Sequence, residues 1–251
     1  MSLSQSPTLL VLGSAVTFLL VGRLLRAIPM PKLVAKDRTR TWRWRNLSVS
    51  IVHSLVMGTS AVLCVFLYPD ILTDMYDYSP QPAYLLLCAS LGYFYMDAAD
   101  IILSGQASAS WEFLFHHALV ISCFTYAAFT GLYVAGTTVA LFVEVNSIFL
   151  HTRLLLKLCN AQDSALYRVN RYLNILTFVS FRLGAHFFIT WFLLSNLWIL
   201  PKATFYFGAM TTINIVILIY FYRLIRADFF PRSRFQGNTM RSYDENKFLN
   251  D

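Results

Sequence analysis

Apolar residues along this chain gather into seven runs, each long enough to cross a hydrocarbon core about 30 Å thick, which takes around 20 mostly apolar residues in a helix. The runs predict helices over 8–28, 47–68, 83–103, 113–130, 132–156, 172–199 and 204–226. Prolines supply many of the stops. Pro29 and Pro31 end the first run, Pro69 ends the second, Pro80 and Pro82 precede the third, and Pro201 separates the last two. A residue without an amide proton cannot continue a helix, so these positions fit turns. The pattern specifies an all-α, polytopic membrane helix bundle in one domain. It divides into an N-terminal transmembrane helix or signal anchor over 1–30, a six-helix core over 31–230, and a short polar tail over 231–251 that reads as disordered and cytosolic. A secretory signal begins with a basic region. Met1 to Leu10 carry no charged side chain, so the first run is expected to be retained.

Composition points the same way. Hydrophobic residues make up 57% of the 251-residue chain and charged residues only 13%, with a mean hydropathy of +0.55. Soluble domains carry about 25% charged residues, so a soluble enzyme, a disordered regulator and a secreted disulfide scaffold all fit poorly. Three of the four cysteines (Cys64, Cys88 and Cys123) fall inside apolar runs, and Cys159 lies just past one. No CxxC pair or Cys/His zinc spacing occurs, which predicts reduced thiols, no metal and no cofactor.

The net charge of +7 changes the picture only through where it sits. The 29–46 loop holds Lys32, Lys36, Arg38, Arg40, Arg43 and Arg45; the 157–171 segment holds Lys157, Arg168 and Arg171; and the C-terminal segment from Arg223 onward holds further basic residues. Arg23, Arg26 and Arg153 lie at helix ends on the same side. The loop between the second and third runs has Asp70, Asp74 and Asp77 and nothing basic. Lys and Arg mark cytosolic loops, so the C-terminus is expected in the cytosol. The charge therefore reports topology and anionic inner-leaflet lipid, with no nucleic-acid partner. Trp42 and Trp44 are expected in the interfacial belt. The one glycosylation sequon, at Asn46, falls on the cytosolic rim and is expected to stay unused.

Ionisable residues within spans are costly and usually face the bundle interior. Here they are numerous: His53, Asp97, Asp100, His116, His117, Glu144, His151, Arg182 and His186. Helical spacing places Tyr93, Asp97 and Asp100 on one stripe, Glu144, Ser147 and His151 on another, and Arg182 with His186 on a third. By depth they fall mostly in the half of the bilayer nearer the basic loops. The simplest packing is one polar cavity open to the cytosol, with Arg182 paired to Glu144 or Asp97. For His53 the plain alternative is an interhelical hydrogen bond. Adjacent helical residues differ by about 100°, so one of His116 and His117 can face a cavity while the other anchors to a neighbouring helix. These two are the candidate catalytic residues.

The stretch Trp111-Glu-Phe-Leu-Phe-His116-His117, followed by an apolar run to Glu144, resembles the TLC (TRAM–LAG1–CLN8) domain family; Tyr93, Phe94 and Asp97 look like that family's preceding helix. Ceramide synthases of this family carry aspartates where this chain has Glu144 and Ser147. A closer resemblance is to the branch of TLC domain-containing proteins 1 and 2. It rests on Arg40-Thr-Trp-Arg-Trp-Arg-Asn-Leu47, Ser50-Ile-Val-His53-Ser54, Ala98-Ala-Asp100, Ser104-Gly-Gln106, Val143-Glu-Val-Asn146, Tyr167-Arg-Val-Asn170 and Phe181-Arg-Leu183. Leu67-Tyr-Pro69 and Leu150-His-Thr-Arg153 lean toward the protein 2 side of that branch. The resemblance implies a TLC-like six-helix core behind an extra N-terminal helix. It also implies a plasma-membrane protein that governs phospholipid acyl composition and fluidity by limiting incorporation of polyunsaturated, fluidising phospholipids.

Three functions compete on these residues. The first is a regulator without catalysis, holding a phospholipid or acyl-CoA in the cavity or scaffolding a lipid-remodelling enzyme. The second is a ceramide-synthase-like, acyl-CoA-dependent acyltransferase using the His116-His117 dyad, since an imidazole serves as base or nucleophile near neutral pH. The third is a proton-coupled transporter, which lacks evident inverted repeats. The endoplasmic reticulum is the alternative location. The balance of these expectations leans away from an enzyme.

Overall fold

The computed structural model describes residues 6–229, so the polar tail over 231–251 lies outside the described residues. Among them the secondary structure is helical throughout. The helices are α1 (Pro7–Leu25), α2 (Arg38–Leu67), α3 (Gln81–Leu103), α4 (Trp111–Thr130), α5 (Val134–Ala140), α6 (Val143–Leu158), α7 (Ala165–Thr177), α8 (Gly184–Ser195) and α9 (Ala203–Phe229). Helices α5 and α6 join into one span, Val134–Leu158. Helices α7 and α8 join through a π-helical segment, Phe178–Leu183, into another, Ala165–Ser195. Among the described residues, seven helices are long and apolar enough to cross a membrane. The chain is an all-α, polytopic membrane bundle.

Local chemistry explains the boundaries. Asp37 caps α2 by accepting the Arg40 amide at 2.9 Å, which extends that helix back from residue 47, where hydropathy alone places its start, to Arg38. The Arg-Trp-rich turns therefore continue the helix beyond its apolar length. Ser164 caps α7 by accepting the Tyr167 amide at 3.1 Å, and the sixth span likewise begins before its apolar stretch. Gly131 ends α4 with φ +74°, the left-handed conformation that a glycine adopts without steric cost.

Two contacts without side chains bring helices together. A Cβ at Gly92 of α3 would overlap the Val11 carbonyl of α1, and Ser14 of α1 donates to the Ala89 carbonyl at 2.6 Å. A Cβ at Gly58 of α2 would lie 2.8 Å from the Val145 amide of α6. Small residues that allow such approaches drive helix association where lipid removes the hydrophobic incentive. These contacts join α1 to α3 and α2 to α6, and α2 packs against both α1 and α3, so the four helices form one packed unit. Helix α4 leans mainly on α3, and α9 mainly on α8. The outer surface is apolar, with Leu12, Phe66, Trp191 and Trp198 exposed, as a lipid-facing surface requires.

Candidate functional site

The polar residues inside the bundle fall into separate clusters. Nearest the 29–46 loop, Asp97 of α3 accepts from Asn46 Nδ2 at 2.7 Å and lies 3.0 Å from His117 Nε2. The other imidazole nitrogen, Nδ1, is 2.7 Å from the Phe113 carbonyl. Both nitrogens of His117 therefore face acceptors, which fixes the ring. Asp100 accepts from Trp42 Nε1 at 2.9 Å and from Asn46 at 3.3 Å. Trp42 thus turns its indole inward to a carboxylate rather than serving only as a belt aromatic. Asn46, the sequon residue, spends its amide on two aspartates.

A second cluster joins α2, α3 and α6. Glu144 accepts from Ser54 Oγ at 2.6 Å, and His53 Nδ1 lies 3.7 Å from the same oxygen. The His53 ring stacks on Tyr93, with centroids 3.7 Å apart and planes 13° from parallel. Tyr93 donates to Ser50 Oγ at 2.9 Å. Phe18 of α1 closes the stack edge-on, 5.6 Å from His53 and 5.1 Å from Tyr93.

The third cluster holds Arg182, in the π-helical segment. Arg182 Nε donates to Asn146 Oδ1 and Nη2 to Ser147 Oγ, both at 2.8 Å. Asn146 in turn donates to Asn174 and Thr177. The expected ion pair with Glu144 or Asp97 is not formed: among the described residues Arg182 meets only neutral partners. Glu144 is turned toward α2 and Asp97 toward α4, which leaves both carboxylates engaged elsewhere. The fully desolvated ion pair is instead Arg153 with Asp228, joining α6 to α9. Arg153 is 1% exposed, so a residue that reads as a basic helix end is a core residue.

A partly open cavity of about 70 Å³ lies between α4, the α5–α6 span, α8 and α9. Its wall is almost wholly apolar, from Tyr133, Tyr206 and Met210 at one end to Val120 and Ile213 beside the other. On α4 the lining residues His116, Val120, Cys123 and Phe124 form one stripe, about 12 Å long at 1.5 Å per residue. Polar atoms enter at the end nearer the basic loops, through His116, Glu144 and His186. His116 makes no hydrogen bond among the described residues; its ring meets His117 edge-on at 5.9 Å. His186 is 4% exposed, and its Nδ1 is buried without a partner.

The single polar cavity that helix positions predict is thus divided. Of the expected residues, His116, Glu144 and His186 line the apolar cavity, whereas His53, Asp97, Asp100, His117, Ser147, His151 and Arg182 lie behind its wall. His151 is half-buried, with Nδ1 unpartnered. Residues that hydropathy reading passes over, Asn46, Asn146 and Asn174, carry much of the bonding. Their signal was present as uncharged amides within or beside apolar runs. The closely spaced histidines divide as helical geometry requires, one anchored and one facing open space.

Comparison with known proteins agrees with this architecture. The TLC domain profile matches residues 43–226. TLC domain-containing protein 1 of Homo sapiens is 43% identical over 222 residues, covering 88% of this chain and 90% of the relative. The Gallus gallus protein of the same name is 39% identical over 242 residues, 96% of each chain. TLC domain-containing protein 2 of Danio rerio is 38% identical over 232 residues, 90% of this chain and 92% of that one. The lean toward protein 2 from two short segments is therefore corrected, because protein 1 sequences match better across the whole chain. With a helical membrane bundle, an anchored and a free histidine on α4, and this extent of similarity, the chain belongs to the TLC domain family.

Proposed function

We propose that this protein regulates the acyl composition of membrane phospholipids by holding an acyl chain in the α4–α9 cavity, without turning it over. The observation that carries this reading is the cavity itself: partly open, apolar along its walls, with polar groups entering through His116, Glu144 and His186. Such a lining accepts a hydrocarbon tail and positions its head, as recognition sites for apolar ligands do. In the cell this protein resides in the plasma membrane with its basic loops and C-terminus in the cytosol. It limits incorporation of polyunsaturated, fluidising phospholipids, either by sequestering acyl chains or by presenting them to a lipid-remodelling enzyme. Resemblance to TLC domain-containing proteins 1 and 2 supports the role, and the basic asymmetry supports the orientation.

One observation favours the acyltransferase reading as the alternative. His116 has free imidazole nitrogens beside the cavity, where a nucleophile or base belongs. Against it, no carboxylate orients that ring; Asp97 is spent on His117, and Glu144 on Ser54 and His53. A catalytic imidazole ordinarily has its second nitrogen held by such a group.

A lipidome comparison at matched surface expression separates the two. His116→Gln keeps a polar side chain of similar reach but loses the imidazole. Binding without turnover predicts that this variant retains most of the wild-type shift in phospholipid acyl profile. Complete loss of the shift by normally folded, normally located protein would transfer the role to acyl chemistry. Orientation is tested by a cysteine placed at Lys36: impermeant thiol reagent on intact cells should leave it unlabelled, and labelling would reverse the assignment.

A further inference from the structure

At the end of the cavity away from the basic loops, one residue ties three segments together. Tyr133, in the turn between α4 and α5, donates its amide to the Tyr76 carbonyl at 2.7 Å and its hydroxyl to the Pro201 carbonyl at 2.8 Å. Its ring stacks on Tyr206, with centroids 4.2 Å apart, and meets Tyr76 edge-on at 5.0 Å. Beside it the Gly136 amide donates to the Met75 carbonyl at 3.3 Å, which lays the segment between α2 and α3 across this end. Met75, Tyr133 and Tyr206 all line the cavity, yet they are only 1%, 3% and 6% exposed. The Tyr206 hydroxyl donates to the Cys123 carbonyl, so both phenols are spent on backbone. Tyr133 holds φ +61°, and Lys202, next to its Pro201 acceptor, holds φ +62°. Left-handed backbone on residues other than glycine persists only where the surroundings over-determine it, and it collects at clamps and switches.

We infer that Tyr133 is a latch that seals this end of the cavity against water, so that the cavity exchanges its ligand with the bilayer. The inference rests on the acyl-binding reading above and specifies where the chain comes from: lipid dissolved in the membrane, not a chain delivered from water at the acidic loop. The latch suits that task. Its ring contacts exclude water, and its two hydrogen bonds satisfy carbonyls that an apolar setting would otherwise penalise. The opposite end gives no second aqueous route. From the cavity toward the basic segments, α6 next presents Asn146 and Ser147, and both are bonded to the Arg182 guanidinium at 2.8 Å. On α4 the neighbour of His116 is His117, held against Asp97. The cavity is nonetheless partly open. With both ends occupied, the opening that remains lies between helices, where lipid is the neighbour.

Cys123 reports on the latch, since it lines the cavity and its carbonyl holds Tyr206. Cys159, part-exposed at the end of α6, is the reference. The test uses the full chain in lipid nanodiscs, which present both faces to water, with a charged methanethiosulfonate reagent and peptide mass spectrometry to read each cysteine. Wild-type Cys123 should stay unmodified while Cys159 reacts. Tyr133→Ala should raise the Cys123 rate at least about tenfold, equivalent to about 1.4 kcal/mol in the free energy of opening, with Cys159 unchanged. Should that variant fail to fold, Tyr133→Phe, which keeps the ring and releases only Pro201, should give a smaller rise in the same direction. Wild-type Cys123 reacting as fast as Cys159, or a folded variant with no rise, would overturn the latch. Diazirine-bearing palmitate dissolved in the disc lipid tests the source, and it should label wild type and Tyr133→Ala equally. Labelling that appears only in Tyr133→Ala would overturn the bilayer route. Labelling of neither would overturn the acyl-binding reading and leave the latch standing.

Discussion

The α1–α2–α3–α6 side of the bundle and the α4–α8–α9 side are built from similar residues and behave as opposites. On the first, helices meet backbone to backbone at Gly58 and Gly92, and each carboxylate accepts from at least one donor: Asp97 from Asn46, Asp100 from Trp42, Glu144 from Ser54. On the second, α4 and α9 are joined at two points, by Tyr206 donating to the Cys123 carbonyl at 2.8 Å and Tyr220 donating to Glu112 at 2.6 Å. Space remains beside them, and His116 and His186 keep unpartnered nitrogens. Buried polar groups without partners are costly in hydrocarbon. A fold that gives each of these carboxylates a donor on one side and leaves imidazoles beside open space on the other separates a scaffold from a binding site. The same residue type can serve either role, and its neighbours decide which.

The hardest test of that division is steric. Gly58→Val places a branched side chain where even a Cβ would lie 2.8 Å from the Val145 amide. The helices must part along much of α2 and α6, and overpacking of this kind costs about 1–3 kcal/mol, occasionally more. Fluorescence-detected size exclusion should show loss of most monodisperse protein. Gly208→Val on α9, where a Cβ meets nothing within 4 Å, should leave the profile unchanged. Equal loss in both variants would erase the distinction between the two sides.

Next in size is Asp97→Ala. It strips His117 and Asn46 of a shared acceptor, and a buried donor left unsatisfied costs about 1–3 kcal/mol. The unfolding midpoint should fall by several degrees, about 2–4 °C for each kcal/mol at this chain length. Asp97→Asn should recover part of the loss, because one amide oxygen still accepts. A midpoint that does not move would mean that the cluster contributes little to the scaffold.

How much of this was legible in the sequence follows from what hydropathy measures. Seven spans, their order and their polar faces can be read because apolar length and 3.6-residue spacing are properties of single helices. Partner choice is not such a property. Arg182 looks like one half of an ion pair with Glu144, yet Ser54 and His53, contributed by α2, hold that carboxylate. Arg153 looks like a basic helix end, yet Asp228, far along the chain, buries it. The cavity is less legible still. Val120, Ala140 and Ile213 line it, and nothing in an apolar residue says whether it faces lipid, another helix or empty space. The split between His116 and His117 was legible only as a rotation of about 100°, without indicating which ring faces the space.

That split gives the third prediction. His117→Gln should lower stability by about 1–3 kcal/mol, since glutamine cannot meet both Asp97 and the Phe113 carbonyl in the geometry the ring now holds. His116→Gln, on a side chain without a hydrogen bond, should stay within about 0.5 kcal/mol of wild type. Thermal unfolding of the two single variants measures the contrast directly. Equal destabilisation would show that His116 is also part of the scaffold, and the division would then have to be drawn along the face of α4 rather than between helices.

The smallest effect on stability should come from filling the open side. Val120→Phe projects a ring from the middle of the α4 stripe into the cavity, between His116 and Phe124. In a packed core the added volume would force neighbours off their rotamers. Here existing space receives it, so the unfolding midpoint should move by no more than about 2 °C. Chain binding should respond quite differently, because a ring at that position blocks the path between the polar end and the apolar walls. Photoreactive palmitate labelling should fall at least about tenfold, equivalent to about 1.4 kcal/mol. A variant that unfolds would show that this space is closed in the working protein. A variant that is stable and still labels fully would place the chain elsewhere. Stability retained with binding lost is the outcome that requires the cavity to be both real and used.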